Sequence, residues 1–191
     1  MRHIIVLLLL AAAAAPLGAD GAPPIVVPLA AGPAPQADGA IGEAEYRGLY
    51  ADAATGIAVH WQADSARLHC GLVSPGRGWL AIGFGSSGMN GSVMAFALAG
   101  RDGKWSVEEH AGKAFYRHAR AGSQRLSGAA GLSGGRTVME FSIPLALGSG
   151  KVISADAALP FILAFHKDRT AGGKHSKRSS GTMVLEPGVK P

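Results

Sequence analysis

The sequence predicts an all-β domain, an antiparallel immunoglobulin-like β-sandwich. Three observations point there. Short apolar runs recur between Gly and Pro punctuation, no stretch sustains a helical period, and 28 Gly accompany a charged content of only 16 %. That profile suits many short strands and tight turns, with enough Val, Ile, Leu and Ala to fill a core.

The elements can be justified in order. Ile57, Val59 and Trp61 share one face of a strand, and Leu68, Cys70 and Leu72 share a face of the next. Residues Trp79 to Phe84 are apolar on both faces, as a central strand would be, and Val93 to Leu98 is similar. The turn signal Arg101-Asp102-Gly103 introduces a strand over Trp105 to Glu109. Val138 to Ile143 alternates and stops at Pro144, and Phe161 to Phe165 and Thr182 to Leu185 complete the series. Residues 111–135, rich in Gly, Ser and Ala, read as a long loop with room for one further strand.

The chain divides into three parts. Arg2 and His3, the apolar run Ile4 to Ala15 and the small residues up to Ala19 have the make-up of a secretory signal over residues 1–19. The run is too short to span a bilayer, which takes about 20 apolar residues, and no later stretch approaches that length. An exported, periplasmic or extracellular protein without a membrane span is expected. Residues 20–37 are Pro- and Ala-rich and read as a linker, although Ile25-Val26-Val27 has the make-up of an edge strand. The folded domain is expected over 38–187.

Cys70 is the sole cysteine, so no internal disulfide forms, and its place between Leu68 and Leu72 marks a buried thiol. The C-x-x-C-H signature of covalent haem attachment is absent. Formal net charge is +5. The excess is concentrated in one C-terminal loop, where Lys167, Arg169, Lys174, Lys177 and Arg178 stand against Asp168. A localised patch of this kind differs from a nucleic-acid surface with interleaved aromatics. It is expected to ring a pocket mouth or meet an acidic partner.

Two stretches carry the chemistry. Gly78-Trp79-Leu80-Ala81-Ile82-Gly83-Phe84-Gly85-Ser86-Ser87-Gly88-Met89-Asn90-Gly91-Ser92 runs from a buried strand into a Gly-rich loop with Met89 at its tip. Glycines let backbone approach a flat ligand, while on the residues alone Met89 reads more readily as core filler folded over the sandwich edge. The second stretch is Phe161 to His166, a basic loop, and then His175, Arg178 and Gly181 before the last strand. Taken alone, His175 is an ordinary solvated loop histidine. No paired acids, nucleophile arrangement or complete metal site stands out, so an enzyme is the class the residues support least. Glu43 and Glu45 read as solvated turn residues, and Ser86 and Ser87 lack catalytic partners. His60 and His69 read as half-exposed strand positions, and His110 and His118 show no ligand spacing.

Together with the opening Asp38-Gly39-Ala40-Ile41-Gly42-Glu43-Ala44-Glu45-Tyr46, these stretches resemble the DOMON family, in particular its haem-binding cytochrome branch. The resemblance covers roughly 38–187. It implies a b-type haem with Met89 and His175 as axial ligands, and a binding site that includes Trp79, Phe84 and Arg178. It also implies electron exchange with a redox partner protein. His166 is the rival histidine. Phe84 and Phe165 are expected to wall the pocket. Two alternatives stay open. One is a haem-free DOMON module for a carbohydrate or other small ligand, against which the lack of evident exposed aromatic clusters speaks. The other is an interaction subunit of an envelope redox system.

Overall fold

A computed structural model describes residues 22–148 and 150–188, so the expected leader lies outside the described residues. The first seven strands are β1 (Ile25–Val27), β2 (Gly48–Ala51), β3 (Ala58–Ala63), β4 (Arg67–Val73), β5 (Leu80–Phe84), β6 (Val93–Ala99) and β7 (Trp105–Ala114). The others are β8 (Arg117–Arg120), β9 (Ser127–Ser133), β10 (Arg136–Pro144), β11 (Ala146–Gly148), β12 (Lys151–Val152), β13 (Leu159–Phe165) and β14 (Lys177–Leu185). A seven-stranded sheet in the order β1-β14-β13-β5-β6-β7-β8 faces a five-stranded sheet in the order β2-β3-β4-β10-β9. A small β11-β12 ribbon stands apart. The all-β sandwich expected from the sequence is therefore the fold. No helix among the described residues is long and apolar enough to cross a membrane.

The core lies between the sheets. The seven-stranded sheet contributes Leu80, Ile82 and Phe84 from β5, Ala95 and Ala97 from β6, and Phe161, Leu163 and Phe165 from β13. From the other sheet come Val59 and Trp61, Leu68, Cys70 and Leu72, and Met139, Phe141 and Ile143. Each set is spaced by two, as the pleat requires. Trp61 and Phe161 meet edge to face at 5.9 Å. Burial pushes the Cys70 thiol well above its usual range, leaving it inert.

Three features add to the sequence reading. β1 pairs with β14, and Val27 is fully buried, so the sandwich begins before residue 38 and the Pro-rich segment is not wholly a linker. That pair is parallel, which makes the large sheet mixed rather than antiparallel throughout. The segment 111–135, expected as a loop, holds the end of β7, all of β8 and β9, and a hairpin turning at Phe115 and Tyr116. β8 is exposed throughout and β9 is half-exposed and Gly-rich, so neither shows the apolar alternation that reveals a strand.

The opening segment covers the outer face of the five-stranded sheet. Ile41 and Tyr46 sit so close to Gly71 that a Cβ there would lie 2.9 Å from Ile41 Cδ1. Tyr46 Oη donates to Glu140 Oε1 at 2.9 Å, and Gly39 N donates to Oε2 at 2.9 Å. Burial, the largest influence, raises the Glu140 carboxyl above its usual range, and the Glu45 charge adds to this. The hydrogen bonds from Tyr46, Gly39 and Ala40 offset part of it.

Two expected outcomes come from this packing. A raised carboxyl binds its proton more tightly folded than unfolded, so its stabilising protonation is lost as pH climbs through the raised value. The stability of wild type relative to Glu140→Gln should therefore fall as pH rises from the ordinary carboxylate range through the raised one in urea titrations, and a pH-independent difference contradicts it. Gly128→Ala should destabilise by about 1–3 kcal/mol or more, because its Cβ would lie 2.1 Å from Glu140 O and 2.7 Å from Phe141 Cβ. A melting temperature equal to wild type would refute that packing.

Candidate functional site

The outer face of the seven-stranded sheet has no second sheet above it, yet it is apolar. Trp79, Ala81, Met94 and Phe96 form a separate buried cluster, with Met89, Leu98, Ile162 and Ala164 packed against it. Alternation explains the set: on β5 the bulky side chains face the core and Ala81 and Gly83 face outward. The result is a cavity of about 1190 Å³ over that sheet face. Met89, Gly88 and Ser87 wall it on one side, and Gly172, Gly173, Lys174, His175 and Arg178 on another. Met89 and His175, far apart in sequence, thus line one cavity, and Trp79 and Arg178 join them. Phe84 does not, nor does Phe165. Both point into the sandwich core, because the bulky alternate residues of β5 and β13 fill the space between the sheets.

The loop carrying Met89 is held at defined points. Met89 O accepts from Ser92 Oγ at 2.7 Å and from Ser92 N at 3.1 Å. Gly112 lies beneath it, and a Cβ there would sit 1.6 Å from Met89 O. Only glycine lets β7 approach the loop so closely.

The basic loop is anchored through Trp79. Its indole Nε1 donates to Gly172 O at 2.9 Å, its backbone N donates to Arg169 O at 2.7 Å, and its O accepts from His166 N at 2.9 Å. The loop closes where Ser176 N donates to Phe165 O at 2.8 Å. His166 is part of this framework. Its Nδ1 accepts from Asp168 N at 3.1 Å and Arg169 N at 2.9 Å, and it is not among the cavity-lining residues. In the neutral ring this places the proton on Nε2. His175 differs. Burial first, then the charges of Arg178 and Lys174, hold it below the usual histidine range, which favours the neutral imidazole. Of the five basic residues, Lys174 and Arg178 line the cavity. Lys167 turns to Asp168 at 3.8 Å, and the Arg169 side chain lies over Gly173.

The sequence reading missed a third wall. The β7-β8 hairpin brings Phe115, Tyr116 and His118 to the cavity, with Phe115 79 % and Tyr116 92 % exposed. His118 stacks on Phe96 at 4.7 Å, and its Nδ1 lies 2.9 Å from His110 Nδ1. His110 Nε2 is 3.2 Å from Glu108 Oε2, which Arg120 also contacts at 3.2 Å. If His110 donates to Glu108, its Nδ1 accepts from His118, whose Nε2 then carries a free lone pair. In the hairpin register His110 lies opposite Arg120 and His118 opposite Gly112, so the two histidines meet diagonally, a contact invisible while residues 111–120 read as loop.

No protein-family model matches the sequence, and no curated protein matches it. Solved structures do. The cytochrome b domain of pyranose dehydrogenase from Coprinopsis cinerea superposes with a TM-score of 0.57 at 13 % identity, over 71 % of this chain and 80 % of that one. The cytochrome domain of Myriococcum thermophilum cellobiose dehydrogenase gives 0.53 at 12 % identity, over 73 % and 88 %. A family 9 carbohydrate-binding module from Caldicellulosiruptor kristjanssonii, solved with cellotriose, gives 0.51 at 10 % identity, over 88 % and 100 %. At such identities the likeness is one of fold: this chain has the β-sandwich architecture found in those two cytochrome domains and in that carbohydrate-binding module.

Proposed function

We propose that the chain is a DOMON-type cytochrome domain that holds a b-type haem in the outer-face cavity and exchanges electrons with a partner protein. The observation that carries this reading is the convergence of Met89 and His175 on one apolar cavity. The residues present suit the group. Ala81, Gly83 and Ala164 are small and leave depth over the sheet, and the volume exceeds the roughly 300–1,000 Å³ of common small-molecule sites. A thioether and a neutral imidazole are soft and borderline donors that suit haem iron. Lys174 and Arg178 supply cations for carboxylates at the rim. When bound, the haem would supply one-electron chemistry, with Met ligation raising its potential.

The chain's own residues would do the rest. Trp79 fixes the loop ahead of His175, while Ser92 fixes the carbonyl of Met89. Phe96, Met94 and Ile162 keep water from the cavity floor. His166, whose Nδ1 is committed to backbone donors, is the weaker candidate ligand. A partner with an acidic docking surface would suit the Lys174 and Arg178 rim. Export through a signal over residues 1–19 accords with this role and forms part of the same proposal. No catalytic step is assigned to the domain.

Haemin reconstitution tests the reading. His175→Ala should lose stable low-spin haem, Met89→Ala should retain haem with an open coordination position and a lower potential, and His166→Ala should match wild type. Gly112→Ala should reproduce the Met89→Ala spectrum, because its Cβ collides with Met89 O. Loss of haem in His166→Ala but not in His175→Ala would reassign the ligand. A wild-type protein that takes up no haemin would end the cytochrome reading.

A second reading has one observation in its favour. Phe115 and Tyr116 are the exposed aromatic pair that sequence inspection did not find, and they border the cavity. Exposed rings of this kind suit a sugar face, as the carbohydrate-binding module among the fold relatives invites. Cellotriose titrated by calorimetry should give no heat if the cavity is a haem site. Saturable heat abolished by Phe115→Ala and Tyr116→Ala would favour the haem-free module.

A further inference from the structure

Lys151 lies on the β11-β12 ribbon, outside both sheets and far in sequence from either stretch discussed above. The ribbon is tied down by the fully buried Leu147 and Ile153 and by Ile153 N donating to Leu145 O at 2.9 Å. From that fixed base the Lys151 side chain reaches the neck of the Met89 loop. Its Nζ donates to Gly85 O at 2.6 Å and to Gly91 O at 2.7 Å. These two carbonyls flank the loop on either side of Met89. Gly85 and Gly91 both have positive φ, at 86° and 74°. That backbone conformation suits glycine. A Cβ on Gly85 would lie 2.6 Å from Lys151 Cδ, so glycine also gives the stem room to pass. Among the described residues no carboxylate pairs with Lys151, and its ammonium is directed at these two carbonyls.

We propose that Lys151 is the positioning residue for Met89: its ammonium clamps the two ends of the Gly85–Gly91 loop and so holds the methionine over the cavity. This inference rests on the reading of Met89 as an iron ligand. A single cation is suited to the task because two carbonyl dipoles converging on one point repel each other unless a charge lies between them. Charge-assisted hydrogen bonds are also stronger than neutral ones. Backbone hydrogen bonds tie each end of the loop to a neighbouring segment, Gly85 N donating to Pro160 O at 2.8 Å and Gly91 N to Gly112 O at 3.2 Å, and Lys151 adds a side-chain bridge between the two ends beyond the Phe84–Val93 pair. Gly88, beside Met89, has nothing within 4 Å of its Cβ position, so the packing at the tip comes from Met89 against the outer-face cluster and from Gly112 beneath it.

The test uses the full protein with Lys151→Met, which keeps the stem and removes the donor, and Lys151→Arg, which keeps charge and donors. Hydrogen exchange of the amides at 86–92 in protein without haemin should speed up by about tenfold or more in Lys151→Met, and Lys151→Arg should recover much of the protection. The urea midpoint should stay close to wild type, separating a local clamp from a general loss of stability. After haemin reconstitution, Lys151→Met should show a mixture of the wild-type and Met89→Ala spectra. Unchanged loop exchange in Lys151→Met overturns the clamp. Faster exchange with a wild-type spectrum overturns its role in holding Met89 as ligand. If wild type takes up no haemin, the failure belongs to the cytochrome reading, and the exchange comparison alone decides the clamp.

Discussion

A sheet that is apolar on both faces must cover both, and this domain covers them by different means. On the inner face, Leu80, Ile82, Phe84, Phe161, Leu163 and Phe165 interlock with Trp61, Cys70, Leu72, Met139 and Phe141 of the second sheet. On the outer face, Trp79, Ala81, Met94 and Phe96 have only loops and a hairpin above them. Removing apolar surface from water is worth about 25 cal/mol per Å², so an apolar face roofed only by loops is a standing demand for a partner group. The cavity is the form that demand takes. Small residues at 81, 83 and 164 leave depth over the floor, and the Met89 loop, the basic loop and the β7-β8 hairpin supply the walls.

The five-stranded sheet shows the opposite solution. Its outer face carries the half-buried His60 and the buried Glu140, and the opening segment covers it with Ile41 and Tyr46. The cost of burying the Glu140 carboxyl is offset by three hydrogen bonds that also fix that segment's path. The residues from Asp38 to Tyr46 therefore read as structure, whereas those from Gly85 to Ser92 read as a site. One sheet is sealed by the chain itself, and the other carries the open cavity.

Much of this was legible in the sequence. Strands β3, β4, β5, β6, β10 and β13 announced themselves by alternation or by continuous apolar runs ended at Gly or Pro. The loops carrying Met89 and His175 drew notice through their resemblance to a family pattern, since each residue taken alone had an ordinary explanation. What was hidden has physical causes. A strand apolar on both faces gives no clue to which face meets the core, so Phe84 and Phe165 were expected in the pocket, although their bulk takes them between the sheets. β9 reads Ser-Gly-Ala-Ala-Gly-Leu-Ser, and its pairing depends on Gly128 packing against Phe141, a tertiary fit without a sequence period. The β7-β8 hairpin carries its aromatic residues at an exposed turn, so the third cavity wall and the contact between His110 and His118 had no local signature. Lys151 was one unremarkable lysine until the fold brought it to Gly85 and Gly91.

The central claim is that the outer face of the seven-stranded sheet houses a flat cofactor gripped from two loops. A crystal structure of the haemin-reconstituted protein tests it most directly. The account predicts one macrocycle lying over Ala81, Gly83 and Ala164, with the iron between Met89 Sδ and the His175 imidazole and the carboxylates toward Lys174 and Arg178. A macrocycle at another surface, or iron bound through His166 or His118 in place of His175, would contradict it.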